Sequence, residues 1–429
     1  MPDLIDMDHA ATTALCDEAR AAMEPFLGPA GAPGARHGNP SGSHAIARDA
    51  LRALDEAREQ VATVLGCHPG EVVFTSGGTE ADNQAVTGGM PPRPGVPVCS
   101  AVEHHAVLDP TLALGGVTVA VDRLGRVDLA ALAAVLDELA AAAANGAGPG
   151  PSLVSVMAAN NEVGTIGDLA AVAEVVHRHA PGVPLHTDAV QAAPWLDLTV
   201  LAAPADLVSV SAHKLGGPKG TGALMVRDGT AIAPLLRGGA QERGRRGGTH
   251  DVAGIVGFAA ALIARAANRE GTVAATARRR DRLAAAANAI DGVSETVGPA
   301  VRRALGEPAD RAHLLPGHCH LLVDGVGSEE LLLLLEQQGV CASAASSCAS
   351  GAVAASHVLG AIGCGGSGPG DPGTGRGRAA SLRLSLGASS TDDDVDRTAA
   401  ALAAAVGRAR GARALSHSSA GGHIPGRPA

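Results

Sequence analysis

The chain has 429 residues, more than one ordinary domain, and its 46% hydrophobic and 18% charged residues exclude a disordered or fibrous protein. Its formal charge of −10 and its few aromatic residues, with three Phe, one Trp and no Tyr, argue against a nucleic-acid partner, because such partners select basic and aromatic surfaces. No apolar run reaches the roughly 18 residues of a membrane span, no signal-peptide pattern is present, and seven scattered cysteines suit a reducing compartment, so we expect a cytoplasmic protein.

Short apolar runs alternate with longer Ala- and Leu-rich stretches over the first part of the chain. The predicted strands are 71–76, 96–100, 117–121, 153–157, 183–188, 206–212 and 222–226. Helical patterns lie between several of them, as at 128–144 and 168–180. Buried strands that alternate with helices are typical of a mainly parallel sheet covered on both faces. The sequence therefore predicts an α/β fold with a large domain over residues 15–255.

The pattern changes after residue 255. The next predicted elements are a helix at 273–290, a strand at 318–326 and a helix at 328–339. They predict a smaller α+β domain built from residues 256–410 together with 1–14. The glycine-rich stretch 363–378 is predicted to be a flexible loop, and the tail 411–429 is predicted to be disordered.

Polar and glycine-rich sequence follows three of the predicted strands. Residues 77–79, Gly-Gly-Thr, stand between a strand and a helix whose first N–H groups suit a phosphate, while Asp188 and Lys214 end two other strands. Each signal alone is weak, but a phosphate cradle, a strand-end carboxylate and a strand-end lysine together indicate pyridoxal phosphate. The lysine would hold the aldehyde as a Schiff base, and the carboxylate would keep the pyridine nitrogen protonated. Close approach of the backbone to this cofactor is expected at the three glycines after the lysine, Gly216, Gly217 and Gly220.

The order of the motifs along the chain resembles one family. The matching stretches are DHAATT (8–13), GNPSGSH (38–44), VVFTSGGTEADN (72–83), EHHAVLD (103–109), NNEVGTI (160–166), HTDAVQ (186–191), SAHKLGGPKGTGAL (211–224), GGAQERGRRGGT (238–249), SSCASG (346–351) and LRLSLG (382–387). Nearly the whole chain resembles the cysteine desulfurases, which are fold-type I pyridoxal-phosphate enzymes of the class V aminotransferase superfamily. The resemblance implies the α/β fold of that type, with a large, mainly parallel sheet domain and a smaller α+β domain.

The resemblance also implies a role for each matching residue. Lys214 is expected to be the Schiff-base lysine, Asp188 the partner of the pyridine nitrogen, and His104 the imidazole stacked on the ring. With a pKa near neutrality, that imidazole would protonate or deprotonate the leaving groups. The other implied cofactor contacts are Gln191, Gly78, Thr79, Asn161, Ser211, His213 and, from the neighbouring subunit, Thr249. The implied substrate contacts are Asn39, Asn161 and Arg383.

Cys348 decides which reaction the resemblance implies. It stands in a stretch of small residues, and a mobile thiol suits a nucleophile that attacks a bound sulfur and then carries it to an acceptor. Cys341, seven residues earlier, fits the end of a packed strand and is expected to have a core role. Members of the family commonly carry Gly-Ser-Ala-Cys-Thr-Ser-Gly here, whereas this chain has Ala-Ser-Ser-Cys-Ala-Ser-Gly over 345–351. The cysteine therefore keeps its place among changed neighbours.

The expected reaction converts L-cysteine to L-alanine and leaves a persulfide on Cys348. The persulfide would pass to a protein sulfur acceptor, either an iron–sulfur scaffold or a tRNA-thiolation enzyme, and the resemblance implies a homodimer. Two alternatives remain open at this point. The first is another class V enzyme, namely an aminotransferase, a selenocysteine lyase or a carbon–sulfur lyase. The second is a sulfur-carrier or assembly protein without turnover.

Two further patterns receive structural interpretations. His318 and His320 share one face of a predicted strand, and without a third ligand at suitable spacing they are expected to be strand residues rather than a metal site. The basic run RGRR at 243–246 is expected to belong to a loop that reaches the neighbouring active site, not to a nucleic-acid surface. No metal site is predicted.

Overall fold

The structure is a computed structural model that describes residues 4–29, 34–88, 95–344, 356–364 and 379–420. Within these ranges the strands are β1 (Ile5–Asp6), β2 (Val72–Thr75), β3 (Val96–Ser100), β4 (Val117–Val119), β5 (Pro151–Ser155), β6 (Leu185–Asp188), β7 (Leu207–Ser211), β8 (Gly222–Val226), β9 (Val293–Glu295), β10 (His318–Val323), β11 (Val340–Cys341) and β12 (Ala380–Ser385). The helices are α1 (Asp17–Leu27), α2 (Ala45–Leu65), α3 (Gly78–Gly88), α4 (His105–Ala113), α5 (Leu129–Ala144), α6 (Leu169–His179), α7 (Leu198–Ala202), α8 (Val252–Ala267), α9 (Arg269–Asn288), α10 (Pro299–Ala304), α11 (Ser328–Glu336), α12 (His357–Ala361) and α13 (Asp392–Ala420).

Seven strands form one large sheet in the order β2-β8-β7-β6-β5-β3-β4. The five strands β7, β6, β5, β3 and β4 are parallel to one another. Strand β8 runs antiparallel to both β7 and β2. Alternate residues of β8 belong to different apolar clusters, with Ala223 and Met225 on one face and Leu224 and Val226 on the other. Both faces are therefore covered, which explains why β8 does not alternate between apolar and polar residues. The predicted mainly parallel sheet is confirmed.

Acidic side chains fix where several surface helices begin. Asp128 accepts hydrogen bonds from the backbone N–H groups of Ala130 and Ala131 at the start of α5. Asp168 caps α6 in the same way through the N–H of Ala171. Such caps satisfy the N–H groups that the first turn of a helix leaves without partners. Asp128 and Asp168 are the first residues of the predicted helical stretches 128–144 and 168–180, so the sequence pattern located these helix starts to within one residue.

Helix α8 belongs to the core of the large sheet. Its buried residues include Ile255, Phe258 and Leu262, which pack with residues of the sheet. The predicted domain boundary at residue 255 therefore falls inside a helix of the large core.

In the described part of the chain no single helix has the length and hydropathy of a membrane span; α8 and α9 meet that test only together, as a pair bent by 73°.

A second apolar core is built from the ends of the chain. Strands β9, β10 and β12 form an antiparallel sheet, and the buried sides of α9, α11 and α13 pack with it. The N-terminal segment joins this core because Ile5 pairs with Val340 in a parallel ladder and Asp8 forms a bridge with Ser385. The segment then continues towards the large sheet, where Thr13 N–H donates to the carbonyl of His213 at 2.9 Å. It thus links the two cores.

The last helix extends beyond the predicted folded region. Helix α13 runs to Ala420, so the prediction of a disordered tail is wrong for residues 411–420, while residues 421–429 lie outside the described residues. The stretch 392–411 is rich in Ala and Arg, which favour helix, and its buried Leu402 and Val406 pack in the small core. A helix nucleated by that packing continues through Ala, Arg and Leu residues. The glycine-rich stretch predicted at 363–378 lies outside the described residues from 365 onwards.

Candidate active site

A cavity of about 360 Å³ opens where the large sheet meets the first turn of α3. The ends of β2 and β7 converge here, because Thr75 and Ser211 both pair with Gly222 of β8. The backbone needs glycine at this corner: Gly77 has a φ of 143°, and a Cβ on Gly78 would lie 2.7 Å from a methyl group of Val190. The cavity is lined by Thr12, Ser76, Gly77, Gly78, Thr79, Glu80, Ser211, His213, Lys219 and Gly220.

The residues of this cavity fit a phosphate group. The hydroxyl oxygen of Ser211 is buried in its wall and has no hydrogen-bond partner among the described residues. The first N–H groups of α3 and the ammonium group of Lys219 add positive potential. The one carboxylate in the wall, Glu80, is already held by Arg246 at 2.8 Å and by the N–H of Ser76 at 2.8 Å. An orphaned buried hydroxyl beside a helix N-terminus is what a phosphate monoester of the pyridoxal type requires.

Lys214 lies at the end of a short 3₁₀ turn that directly follows β7. Its Nζ donates hydrogen bonds to the carbonyl oxygens of Ala10 at 2.6 Å and Ala11 at 2.8 Å. The side-chain amide of Gln191 donates to the same carbonyl of Ala10 at 2.9 Å. The structure therefore brings together Lys214 and Gln191, and it does so on the backbone of the N-terminal segment.

The glycines that follow Lys214 serve the turn rather than the cofactor. Gly216 has a φ of 93°, and a Cβ there would lie 3.2 Å from the Cβ of Cys16. A Cβ on Gly217 would lie 2.8 Å from that of Ala212. Only Gly220 of the three lies in the cavity wall. The expectation that these glycines admit the cofactor is therefore wrong for the first two, which are needed for tight packing within the chain.

Asp188 ends β6 and is 6% exposed. Burial raises its pKa to about 6, against the hydrogen bond from the N–H of Val190 and the positive charge of Lys214. The Val190 bond is 2.8 Å long. Asp188 thus stays mainly ionised at neutral pH beside Lys214, as a partner for a protonated ring nitrogen requires.

His104 precedes α4 and caps it. Its Nδ1 accepts the N–H of Ala106 at 3.1 Å, so the proton of the neutral ring is on Nε2. Burial, and then the charge of Lys214, lower its pKa to about 4. The expectation of a pKa near neutrality is therefore wrong: the imidazole is neutral at pH 7 and presents its Nε2–H as a hydrogen-bond donor.

His213 lies in the cavity wall next to Lys214. Its Nδ1 is 3.1 Å from the hydroxyl of Thr12, which lines the same cavity. Burial, with the charges of Lys214 and Lys219, lowers its pKa to about 4. It is therefore a neutral hydrogen-bonding group at neutral pH.

Arg383 of β12 is 5% exposed and meets the loop that follows β5. One of its Nη atoms donates to the carbonyl of Asn161 at 2.9 Å, and the other donates to a carboxylate oxygen of Asp8 at 2.7 Å. Its Nε is buried and has no partner within the described ranges. The predicted pair of substrate contacts, Asn161 and Arg383, is thus assembled, together with an unpredicted acidic neighbour.

Asn39 and Thr249 are not brought into this cavity. The described residues of its wall include neither. Asn39 is exposed, and its carboxamide oxygen accepts the N–H of Ser41 at 3.0 Å in a tight turn. Thr249 is exposed at the end of the segment 238–249. Its assignment to the cofactor of a neighbouring subunit stays a prediction.

The segment that carries Thr249 is held by a buried ion pair. Arg58 of α2 donates to both carboxylate oxygens of Glu242, at 2.8 and 2.6 Å. The same two side chains also satisfy the free edge of β2, since Arg58 donates to the carbonyl of Val72 at 2.8 Å and Glu242 accepts the N–H of Phe74 at 3.0 Å. The pair therefore replaces a missing neighbour strand, and it fixes Glu242 at the unusual φ of 49°.

Glu242→Gln is expected to destabilise the protein by about 3 kcal/mol at pH 7, because it leaves Arg58 buried without a counter-charge. Burial alone would raise the pKa of Glu242, but hydrogen bonds from Arg58 and His250 lower it to about 2 from the ordinary 4.5. The stabilisation is thus present above pH 4.5 and lost as the pH falls towards 2. Urea unfolding at fixed protein concentration measures it, with the exposed Glu59→Gln as control. Equal midpoints for the two variants at pH 7 would show that the pair contributes nothing.

Cys348 lies outside the described residues, as does the whole stretch 345–355. The chain on both sides of that stretch is tied to the site. Before it, the carbonyl of Ala344 accepts a hydrogen bond from the hydroxyl of Ser381 at 3.1 Å, two residues from the arginine of the substrate pair. After it, the hydroxyl of Ser356 donates to Glu162 at 2.5 Å, next to the asparagine of that pair. Both anchors therefore lie at the residues predicted to bind the substrate carboxylate.

His318 and His320 are buried residues of β10. The ring nitrogens of His320 lie 2.7 Å from the hydroxyl of Thr296 and 3.1 Å from that of Ser381, so hydroxyl groups account for both. Across the described part of the chain, no group of three or more His, Cys, Asp or Glu side chains is arranged to hold a metal ion.

Several residues of the site were missed by sequence reasoning. Ala10 contributes a backbone carbonyl that accepts hydrogen bonds from Lys214 and Gln191. A backbone contact of this kind cannot be predicted from a pattern of side chains. Asp8, in the same motif, is polar but was given no function. Asp82 and Glu103 are fully buried acids behind Asp188. In the sequence, each is an acidic residue within an otherwise apolar helix or loop motif. Such a side chain is taken to be exposed to solvent until the packing of the fold is known.

Both the sequence and the fold of this chain are similar to those of known proteins. The sequence matches the family described as aminotransferase class-V over residues 5–398. A cysteine desulfurase of Cereibacter sphaeroides is 40% identical over 366 residues, which cover 83% of this chain and 86% of that protein. A solved NifS-like protein superposes with a TM-score of 0.79 at 29% identity, covering 94% of this chain and all of the other. A solved structure described as SspA in complex with cysteine has a TM-score of 0.69 at 27% identity, covering 89% of this chain and 98% of the other.

The chain therefore belongs to the class-V aminotransferase family and, within it, to the cysteine desulfurases. This membership confirms the predicted α/β fold and the predicted enzyme class. The enzymes of this family use pyridoxal phosphate, which agrees with a cavity whose walls suit a phosphate and include His213, the neighbour of Lys214.

Proposed function

We propose that this protein converts L-cysteine to L-alanine with pyridoxal phosphate and leaves the sulfur on Cys348 for a protein acceptor. The observation that carries the proposal is that Lys214 and Asp188 lie close enough to interact electrostatically, while His213, the neighbour of Lys214, lines a cavity that fits a phosphate. Membership in the cysteine desulfurases supports the substrate, as does the SspA structure in complex with cysteine.

Side chains of four elements would hold the cofactor. Thr79, Ser211, His213 and the first N–H groups of α3 would bind its phosphate, and Gln191 would face its ring hydroxyl. Asp188 would hold the proton of the ring nitrogen, and His104 would cover the ring. When bound, pyridoxal phosphate supplies an aldehyde for amine exchange and an electron-withdrawing ring that acidifies the α-carbon of the amino acid.

The substrate would be oriented through its carboxylate. Arg383 is buried, fixed at one Nη by the Asn161 carbonyl, and has an Nε without a partner among the described residues. A carboxylate at that edge would gain a charge-assisted hydrogen bond in a water-poor site. The amine and thiol of the amino acid would then point towards Lys214 and the anchored ends of the Cys348 segment.

Lys214 would handle the α-proton of the substrate. As a free amine it would take that proton, and its Nζ already lies at a carbonyl that can receive its hydrogen bond. His104 is neutral at pH 7, and because its Nδ1 is engaged by the N–H of Ala106 it would offer its Nε2–H as a hydrogen-bond donor beside the ring.

Cys348 would attack the substrate sulfur as a thiolate. The new S–S bond forms while the bond between the substrate's β-carbon and sulfur breaks, and the electron pair of that bond stays with carbon, where a proton completes alanine. Cysteine and the enzyme thiol thus give alanine and an enzyme persulfide, with atoms and electrons balanced. A thiol reductant or an acceptor protein then removes the outer sulfur.

The later fate of the sulfur and the assembly state are part of the proposal. We propose a cytoplasmic homodimer in which Thr249 reaches the partner's cofactor phosphate, because Thr249 is exposed and outside its own chain's cavity. The persulfide would go to an iron–sulfur scaffold or to a tRNA-thiolation enzyme. Both acceptors are proteins that present a thiol, so the chemistry of transfer is the same.

Purified protein incubated with L-cysteine, pyridoxal phosphate and excess dithiothreitol is expected to release alanine and sulfide in equal amounts. L-Serine is the matched control, since it lacks the sulfur and should give neither product. A requirement for a keto acid would identify an aminotransferase instead. Turnover of selenocysteine without turnover of cysteine would identify a selenocysteine lyase and contradict the proposal.

A further inference from the structure

A row of buried polar side chains crosses the large sheet behind Asp188. We define the buried polar row as Ser155 of β5, His186 of β6, Ser209 of β7 and Asp82 of α3, each at most 1% exposed. The strands place the first three side by side, since Ser155 pairs with His186 in the ladder and Ser209 pairs with Asp188. His186 and Asp188 are two residues apart on one strand and therefore share a face. The row thus lies beside Asp188, the carboxylate predicted to face the cofactor ring, in the ladder.

The contacts within the row are hydrogen bonds. The hydroxyl of Ser155 lies 2.8 Å from Nδ1 of His186, and the hydroxyl of Ser209 lies 2.9 Å from Nε2. Asp82 lies next to Ser209, close enough for a hydrogen bond to its carboxyl group, and its Oδ1 lies 3.6 Å from Nε2 of His186. Each inner member has one hydrogen to give and can receive one, so the row can point in either direction. If Asp82 carries a proton, its O–H donates to Ser209, Ser209 donates to Nε2, and Nδ1–H donates to Ser155.

The surroundings favour the protonated form of Asp82. Its Oδ1 is buried and has no hydrogen-bond partner among the described residues, which is costly for an ionised oxygen. Burial, and then the negative charge of Asp188, raise its pKa well above the ordinary range, and the interaction with Ser209, which lowers it, does not offset them. His186 cannot balance the charge, because burial lowers its pKa to about 3 and leaves it neutral.

The surroundings of Asp188 favour its ionised form more than those of Asp82 do. It accepts the N–H of Val190 at 2.8 Å and feels the charge of Lys214. Glu103, the third buried acid, has its pKa raised to about 8 by burial, so it too is mainly protonated at neutral pH. Of these coupled acids, only Asp188 has both a backbone donor and a nearby cation.

We propose that the buried polar row holds Asp82 as a neutral carboxylic acid, so that Asp188 is the single negative charge presented to the ring nitrogen of the cofactor. The proposal rests on the proposed pyridoxal-phosphate function and deepens it. Asp82 and His186 are positioning residues: they touch neither cofactor nor substrate, and they act through Asp188.

The protonation state of Asp82 can be read without turnover. Full-length protein is labelled with ¹³C at the aspartate carboxyl carbons and titrated by NMR, with and without pyridoxal phosphate. We expect one carboxyl resonance that stays in its protonated position through pH 7, disappears in Asp82→Asn and persists in the exposed control Asp55→Asn. An Asp82 resonance that is ionised at pH 7 in cofactor-free protein would overturn the proposal.

The stability of the cofactor-free protein gives a second readout. An acid that is protonated in the folded chain but ionised in the unfolded chain makes the folded state bind the extra proton, so stability falls as the pH rises between the two pKa values. Asp82 should contribute about tenfold per pH unit to the unfolding equilibrium constant over that range. Asp82→Asn is expected to remove this share of the slope, while the exposed control Asp55→Asn leaves it unchanged.

Equal slopes in Asp82→Asn and the parent protein would also overturn the proposal. Neither measurement uses cysteine, alanine or sulfide. A protein that passes both tests but fails to desulfurate cysteine would therefore refute the proposed reaction and still support a neutral Asp82. A protein that desulfurates cysteine but fails the tests on Asp82 would refute only the proposed role of the row.

Discussion

Lys214→Ala is expected to lower the turnover of L-cysteine by at least about 10³-fold, equivalent to about 4 kcal/mol in the barrier. The amine is the group that would bind the aldehyde and take the α-proton, and its Nζ lies at the Ala10 carbonyl beside Gln191. Removing it leaves the phosphate cavity intact. The variant should therefore still bind pyridoxal phosphate but not covalently.

The measurement is borohydride reduction followed by peptide mass spectrometry. The sequence has only two lysines, Lys214 and Lys219, so borohydride can fix the cofactor to only two lysine side chains. We expect the label on Lys214 in the parent protein and in the control Lys219→Ala, whose lysine lies exposed at the cavity wall. A label on Lys219, or turnover above one tenth of the parent rate in Lys214→Ala, would refute the assignment.

Cys348→Ala is expected to abolish the formation of sulfide, again by at least about 10³-fold. The thiolate has no substitute in the mechanism, since it forms the S–S bond that releases the sulfur from carbon. The absorption of the bound cofactor should be unchanged because the ring contacts belong to other residues. In the parent protein, brief incubation with L-cysteine should add one sulfur atom to the peptide that contains Cys348.

Cys341→Ala is the matched control for this variant. Cys341 is seven residues earlier, half-buried in β11, and burial raises the pKa of its thiol. Such a thiol is a poor nucleophile at neutral pH. Loss of sulfide formation in Cys341→Ala, with Cys348→Ala still active, would exchange the two assignments.

The sequence allowed the large sheet to be predicted well, for a physical reason. Runs such as 207–211 and 222–226 contain no charged residue and are mostly apolar because both faces of the strand are buried, and this signal can be read without knowing the neighbouring strands. Lys214 and Asp188 were found because polar groups directly after such runs must lie at the ligand-binding edge of the sheet.

The electrostatic details could not be read in the same way. The pKa of His104 depends on its burial and on Lys214, which is far away in the sequence. Glu242 looked like one residue of a basic loop, and only the fold reveals that it pairs with Arg58 and completes the edge of β2. Gly216 and Gly217 were misread because the residues they touch, Cys16 and Ala212, are set by packing. Each of these properties is created by contact between distant segments.

The N-terminal segment has a consequence for how the protein is made. Its residues leave the ribosome before those of the large sheet, yet Ile5 pairs with Val340 and Asp8 with Ser385, which are made much later. The carbonyl that receives the amine of Lys214 belongs to Ala10 of this same segment. Nascent chains can therefore complete the large sheet once β8 has emerged but cannot close the lysine site until Ser385 has emerged. Capture of the vitamin-derived cofactor should accordingly be a late event in biosynthesis.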